Sequence, residues 1–179
     1  MLSIGVALTL AGCSSPAPTP TSSADPTPSI AASLIPTAPP SDVVDVDPAL
    51  FAGDFGDYTF RVGDGPTWCT INNIRMNVLC EQSEADAKYP PIPVPSSCEF
   101  SYGYQVQLFA TQPEDGSKIA DFVCSGGAYA DPTSAYVLNS GERLTLDGIS
   151  CFVEGTAARC ENEAHNYIVL GPDAWAIGS

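Results

Sequence analysis

Cysteine is the residue type whose position in this chain most clearly indicates a chemical reaction. The first of its seven cysteines, Cys13, follows an apolar run over residues 2–10 and the small residues Ala11 and Gly12. This is the pattern of a lipobox, in which the cysteine thiol takes a diacylglycerol thioether and becomes the new N-terminus after cleavage. We therefore expect residues 1–12 to be a lipoprotein signal peptide and Cys13 to be the lipid attachment site. Because residues 1–12 contain no Lys or Arg, we expect the true signal to begin further upstream.

The remaining cysteines predict a disulfide framework, because an even number of thiols in an oxidising compartment is normally paired. A hairpin centred between Gly155 and Thr156 would place Cys151 opposite Cys160, since Gly-x suits a two-residue type II′ turn. Cys69 and Cys80 allow the same device around a longer turn that contains Asn72 and Asn73. Cys98 and Cys124 remain and then pair by elimination. The six cysteines pair in chain order under this scheme: Cys69, Cys80, Cys98, Cys124, Cys151 and Cys160.

Few residues of this sequence could catalyse a reaction or bind a metal ion. His165 is the only histidine, at the start of a predicted strand, and we expect an ordinary surface or turn residue there. The sequence has neither a Gly-x-Ser-x-Gly elbow nor a Cys-x-x-Cys pair, so we expect no cofactor and no zinc or iron–sulfur site. A pair of carboxylates could still hydrolyse glycosides without histidine, and a small hydrolase is therefore the alternative function.

Aspartates are concentrated at the entrance to the domain. Asp54, Asp57 and Asp64 are candidate calcium ligands because hard cations prefer carboxylate oxygens, although their spacing matches no EF-hand loop. We interpret them instead as solvated charges that keep the domain soluble.

Aromatic residues are the remaining candidates for binding. Trp68 adjoins Cys69, Trp175 follows the last predicted strand, and Tyr129 lies in a polar loop over residues 126–134 that has no evident structural role. Loops of this kind often carry the function of a rigid scaffold. Most aromatic rings of so small a domain must fill its core, so these three are hypotheses for binding rather than assignments.

The charge excludes a nucleic-acid partner. The chain has 21 acidic and 6 basic residues, a net charge of −15, whereas phosphate binding needs clustered Lys and Arg. From Pro48 onward 17 acidic and 6 basic residues still give −11. Any polyionic partner is therefore expected to be basic.

Two segments with different compositions position these residues. Residues 13–47 hold the lipidated cysteine and a linker rich in Pro, Ser, Thr and Ala, which predicts an extended, disordered tether. Residues 48–179 alternate short apolar runs with Gly, Pro, Asn and Asp, and the only helix candidates are single turns at residues 47–50 and 81–88. Strands are predicted at residues 60–62, 78–80, 104–109, 119–124, 144–146, 149–153 and 167–170.

These features predict an all-β fold, a small disulfide-stapled antiparallel sandwich or a barrel-like domain. A faint repeat relates Phe60, Cys69 and Cys80 to Leu144, Cys151 and Cys160. We interpret it as the spacing that any stapled hairpin needs rather than as a duplication.

An aromatic strand is followed along the chain by Cys69, Val78-Leu79-Cys80, Phe122-Val123-Cys124-Ser125-Gly126, Gly148-Ile149-Ser150-Cys151 and Ala158-Arg159-Cys160-Glu161-Asn162. In this order of motifs the chain resembles a family of actinobacterial secreted or lipid-anchored six-cysteine domains of unknown function. The resemblance covers roughly residues 57–177 and implies sequential disulfides and an envelope location, but no catalytic residues. We thus expect a monomeric, non-catalytic binding module that is anchored to the outer face of a bacterial membrane, with an envelope protein or glycan as partner. An inhibitor-like structural domain is a further alternative.

Overall fold

The computed structural model describes residue 36 and residues 42–179, which form an all-β domain without α-helices. Its twelve strands are β1 (Val44–Asp45), β2 (Asp57–Val62), β3 (Trp68–Asn72), β4 (Asn77–Glu81), β5 (Gln105–Phe109), β6 (Ala120–Phe122), β7 (Tyr136–Leu138), β8 (Glu142–Leu146), β9 (Ile149–Glu154), β10 (Ala157–Asn162), β11 (Tyr167–Leu170) and β12 (Trp175–Gly178). Single 3₁₀ turns occur at Pro48–Phe51, Glu84–Asp86 and Pro132–Ser134. Cys13, the predicted signal peptide and most of the predicted tether lie outside the described residues.

The strands form two six-stranded sheets that pack face to face. The first sheet has the order β6-β5-β4-β3-β2-β7, and the second has the order β1-β8-β9-β10-β11-β12. Alternate residues of both sheets, such as Phe60, Leu108, Leu144 and Ile168, are fully buried in one shared core. The fold is therefore a sandwich and not a closed barrel. The predicted all-β fold with mainly antiparallel strands is confirmed, and both sheets are mixed because β7 pairs with β2 and β1 pairs with β8 in parallel.

The two halves of the chain repeat one topology. β2–β6 and β8–β12 are five-stranded meanders, and each is preceded by a short strand that pairs in parallel with the first strand of the other meander. Cys69–Cys80 joins the second and third strands of the first meander, as Cys151–Cys160 does in the second. The Sγ atoms of Cys80 and Cys160 lie 3.9 Å apart between the sheets. This shared strand order favours a duplication over the coincidence of hairpin spacing that the sequence suggested.

Three disulfides brace the domain, and they join the cysteines in the predicted order. Cys69 opposes Cys80 and Cys151 opposes Cys160 on neighbouring antiparallel strands, with Cα atoms 4.0 and 4.1 Å apart. Such bonds place the domain in an oxidising, extracytoplasmic compartment. Within the described part of the chain, no helix has the length and apolarity to cross a bilayer.

Local sequence explains the turns. Gly155 and Thr156 form the predicted two-residue turn, in which Gly155 has φ +62°, as the first position of a type II′ turn requires. In the β3–β4 turn the left-handed residue is Met76 (φ +52°) rather than an asparagine. Asp47 caps the first 3₁₀ turn, where its Oδ1 accepts from the Ala49 N–H at 3.0 Å.

Two parts of the predicted organisation differ in the structure. β1 lies within residues 13–47, which the composition assigns to the linker, because its backbone pairs with β8 and Asp45 binds Arg143. Glu81 belongs to β4 rather than to a helical turn over residues 81–88, and only Glu84–Asp86 form such a turn.

Candidate functional site

The site is built on the outer face of the first sheet. Because side chains alternate along a strand, the neighbours of the core residues Cys69, Cys80 and Val106 point away from the core. This face is unusually polar, and several of its side chains are nevertheless buried. Those with less than a tenth of their surface exposed are Thr70, Asn72, Glu81 and Gln105.

A crossing segment explains this burial. β6 and β7 occupy opposite edges of the first sheet, so the connection between them must pass over its outer face. We call residues 125–130 of this connection the strap. The Cys98–Cys124 disulfide and backbone hydrogen bonds between Ser101 and Ser125 fix where the strap begins. The polar loop that the sequence singled out therefore has a structural role.

Glu81 fixes the strap to the sheet. Its Oε1 accepts from Gln105 Nε2 at 2.6 Å and from the Tyr129 N–H at 2.7 Å, and its Oε2 accepts from Trp68 Nε1 at 3.0 Å. The Ala130 N–H also donates to this carboxylate. Burial raises the pKa of Glu81, and these hydrogen bonds oppose the increase only in part. The carboxylate is thus a buried anchor, both of whose oxygens are engaged by neutral donors.

A first depression, with a volume of about 220 Å³, opens between the strap and the β4–β5 connection. Trp68 and Tyr104 supply its aromatic walls, while Ser101 and Ser125 supply hydroxyl groups. Glu84 lines it and hydrogen-bonds the Tyr104 hydroxyl, and burial raises the pKa of Tyr104. The depression therefore combines aromatic and polar surfaces in one concavity.

A buried chain of hydrogen bonds supports that depression from below. Thr67 Oγ1 donates to Gln82 Oε1 at 3.1 Å, and Gln82 Nε2 donates to the Tyr89 hydroxyl at 2.9 Å. Tyr89 in turn donates to the Gly103 carbonyl at 2.8 Å, and its burial raises its pKa. These bonds hold the proline-rich β4–β5 connection against the sheet.

A second depression, of about 330 Å³, lies beside the strap towards the β3–β4 turn. Asn77, Gln107 and Tyr129 line it together with Arg75. The Arg75 N–H donates to Asn72 Oδ1 at 2.6 Å, and the Tyr129 hydroxyl donates to Asp57 at 3.3 Å. These contacts fix the turn and the ring that border the depression.

Arg75 differs from the other cations of the chain. All six basic residues lie within residues 42–179, and the side chains of five of them form a hydrogen bond or an ion pair: Arg61, Lys88, Lys118, Arg143 and Arg159. Arg75 has neither among the described residues, and its side chain borders the second depression. An acidic domain thus presents one uncommitted guanidinium in a concave polar site.

The structure places two of the three predicted binding aromatics at this site. Trp68 lines the first depression and Tyr129, with 43% of its surface exposed, lines the second. Trp175 does not belong to it. Trp175 is 7% exposed and packs edge-to-face on Phe122 with ring centroids 5.0 Å apart, so it is a core residue and not a binding surface.

The calcium candidates do not converge. Asp57 begins β2, and Asp64 lies beyond its other end, so at about 3.3 Å per residue they are about 20 Å apart along the strand. Asp57 instead accepts from Asn72 Nδ2 at 2.5 Å. Asp54 and Asp57 share a turn, but that alone supplies too few oxygens for calcium.

The remaining candidates have structural roles. His165 is exposed in the β10–β11 turn with φ +64°, the turn position that the sequence predicts. Cys69, Cys80 and Cys160 bring three sulfurs within 4.8 Å of one another, but all three are in disulfides and offer no thiolate to a metal.

Sequence reasoning missed Glu81, Gln105 and Arg75. Gln105 could have been found, since it begins the run in which polar and apolar residues alternate. The burial of Glu81 had no local signal, because it depends on a strap that is 44 or more residues away in the chain.

No family model, curated protein or solved structure matches this chain.

Proposed function

We propose that this chain is a lipid-anchored, monomeric and non-catalytic binding module of a bacterial cell envelope, and that it binds an acidic glycan on the outer face of the first sheet. The observation that carries the proposal is the pair of adjoining depressions that the strap forms on this face. They offer aromatic, amide and hydroxyl groups, together with the guanidinium of Arg75.

A saccharide suits this chemistry. Sugar hydroxyls pair with amide and hydroxyl side chains such as Gln107, Asn77 and Ser125, and apolar sugar faces stack on aromatic rings such as Trp68. Binding sites typically combine a preformed concavity with a few well-placed polar groups, as here. The disulfide at the start of the strap and the Glu81 anchor preorganise the concavity, which lowers the entropy cost of binding.

The acidic character of the ligand is inferred from Arg75 and not from the net charge of the domain, which by itself favours a basic partner. A domain with net charge −11 repels anions at long range, so a carboxylate must be recognised by a local cation. Arg75 can bind a carboxylate through two parallel hydrogen bonds, and no acidic side chain of the described residues competes for it by an ion pair. Envelope glycans that bear lactyl or peptide carboxylates have this combination of groups.

The hydrolase alternative is less well supported. Glu81 and Glu84 line one depression, and the raised pKa of Glu81 would suit a general acid. A general acid must nevertheless present its proton to the substrate. Both oxygens of Glu81 accept hydrogen bonds from protein groups, and the side chain is 1% exposed. This geometry suits an anchor.

Isothermal titration of the full-length, oxidised chain with Cys13→Ser tests the proposal. The probes are soluble peptidoglycan fragments and, as the matched neutral glycan, chitotetraose. We expect the carboxylate-bearing fragments to bind and chitotetraose to bind at least about tenfold more weakly, which is about 1.4 kcal/mol. Equal affinities would overturn the acidic specificity. Absence of binding by both probes, or release of shortened fragments, would overturn the function.

A further inference from the structure

Pro36 is the only residue before position 42 that the structure describes, and it is buried against the second sheet. It lines a depression of about 220 Å³ at one end of the second sheet. The β9–β10 turn, residues 154–157, forms one wall of this depression, and the β11–β12 turn, residues 171–174, forms the other. The proline comes from the segment that the composition assigns to the tether.

Arg159 fixes Pro36 in place. Its Nη1 donates to the Pro36 carbonyl oxygen at 3.4 Å, and its Nε lies 3.4 Å from Glu161 Oε2. The guanidinium carbon stands 3.6 Å from the centroid of the Tyr167 ring, and only 12% of the Arg159 side chain is exposed. A stacked arginine that binds a main-chain carbonyl beside a proline is the chemistry of recognition of an extended, proline-containing segment.

Apolar side chains on the outer face of the second sheet are buried, which agrees with a segment of the chain that covers this face. Strand alternation directs four apolar residues of β9–β12 away from the shared core, yet each is at most 6% exposed: Phe152, Ala157, Val169 and Ala176. Three of them, Ala157, Val169 and Ala176, form a small cluster that is separate from the core. The outer face of a two-layer sandwich would otherwise be open to water.

We infer that the outer face of the second sheet is a docking surface for the chain's own proline-rich segment at Pro36. The docking fixes where the tether leaves the domain. Because the sheets pack face to face around one core, a segment held on the outer face of the second sheet leaves the outer face of the first sheet uncovered.

The docking also sets the length of the spacer between the membrane and the domain, and this consequence rests on the proposed lipid anchor. From Cys13 to Pro36 the chain spans 23 residues, which reach at most about 70 Å in an extended polyproline conformation. The candidate site would thus be presented at a limited height above the membrane.

Thermolysin digestion of the full-length, oxidised chain tests the docking and does not depend on any ligand or anchor. Thermolysin cleaves before large aliphatic residues, and residues 14–41 contain three of them, Ile30, Leu34 and Ile35. The bond before Ile35 is not used as a readout, because a proline directly after the aliphatic residue blocks the protease. We expect cleavage before Leu34 to be at least about tenfold slower than cleavage before Ile30, because the segment must detach before it is cut. Synthetic peptides of residues 28–42 provide the intrinsic rates.

Two variants and one control complete the experiment. Pro36→Asp changes no residue of the sheets, and Arg159→Ala changes no residue near the cleaved bonds. Both should bring cleavage before Leu34 to the intrinsic rate, measured on a peptide that carries the same substitution, whereas Pro28→Asp should leave the protection unchanged. Equal normalised rates at Ile30 and Leu34 in the unmodified chain, or protection that survives Pro36→Asp, would overturn the inference.

Discussion

At the scale of single residues, Glu81 does most to define the candidate site. A buried carboxylate normally has a cationic partner, whereas Glu81 has only the N–H groups of Trp68, Gln105, Tyr129 and Ala130. These donors belong to three different parts of the site, so one side chain fixes the aromatic wall of Trp68, the amide of Gln105 and the strap together.

Glu81→Gln should lower the free energy of unfolding by about 2–3 kcal/mol, because the amide NH₂ would face donors and leave at least one buried N–H without an acceptor. Glu84→Gln in the same depression is the matched control and should change stability by less than about 0.5 kcal/mol, since Glu84 is exposed. Urea unfolding of the three proteins measures this difference. Equal stabilities of the two variants would contradict the anchor role of Glu81.

The stability that Glu81 contributes should also depend on pH. Its pKa in the folded chain is raised above the usual value of 4.5, so between these two values the folded state binds more protons than the unfolded state. Stability from this group is therefore fully present below pH 4.5 and is lost as pH rises through the folded pKa. The difference in unfolding free energy between the unmodified chain and Glu81→Gln should be larger at pH 4 than at pH 8. An opposite trend in urea unfolding would show that the pKa of Glu81 is lowered instead.

At the scale of elements, the strap converts a flat sheet face into a site. Strands alone would leave the outer face of the first sheet open, and the depressions exist because residues 125–130 cross it between opposite edges. The Cys98–Cys124 bond lies at the start of this crossing and, unlike the other two disulfides, does not join paired strands.

Replacing Cys98 and Cys124 together with Ser should therefore loosen the strap more than the sheets. The chain-entropy model gives a loss of about 3.5 kcal/mol for a loop of this length. Hydrogen exchange should show faster exchange of the Tyr129 and Ala130 N–H groups, with smaller changes at Val78 and Val106 in the strands. Uniformly faster exchange would show that the bond stabilises the whole fold rather than the strap.

Sequence patterns predicted those elements whose information is local. The alternation in β5 and the apolar runs of β4, β8, β9 and β11 identified strands, and the Gly155 turn with flanking cysteines identified a hairpin. β1 and β7 were missed because two or three residues in parallel pairing with a distant strand carry no periodic signal. β12 was missed as well, because Trp175–Gly178 has no alternation of polar and apolar residues and ends in glycine. Trp68 and Tyr129 were found as aromatics, but Trp175 could not be distinguished from them without its neighbour Phe122.

At the scale of the whole molecule, the two halves share one topology and differ in the surfaces that they form. β1 pairs with the first strand of the second meander, and β7 pairs with the first strand of the first meander. One edge of each sheet is therefore formed by a short strand that precedes the other meander. The first half alone has the long β4–β5 connection and the strap, and therefore has the candidate site. The outer face of the second half instead holds Pro36.

The distribution of charge also distinguishes the outer face of the first sheet. The domain is strongly acidic, and its one guanidinium without an ion pair or side-chain hydrogen bond among the described residues borders the second depression. The proposed function therefore depends on Arg75 more than on any other exposed residue. Arg61 is the matched control, because it is an exposed arginine of the same sheet whose Nε donates to the Ala135 carbonyl outside both depressions.

The most direct test of the central claim is the affinity of Arg75→Gln and Arg61→Gln for soluble peptidoglycan fragments, measured by isothermal titration in the Cys13→Ser chain. The two variants have the same net charge, so a difference between them reports the local contact. We expect Arg75→Gln to weaken binding about tenfold or more, since a charge-assisted hydrogen bond is lost. Arg61→Gln should bind like the unmodified chain. Equal affinities of the two variants would contradict a binding site on the outer face of the first sheet.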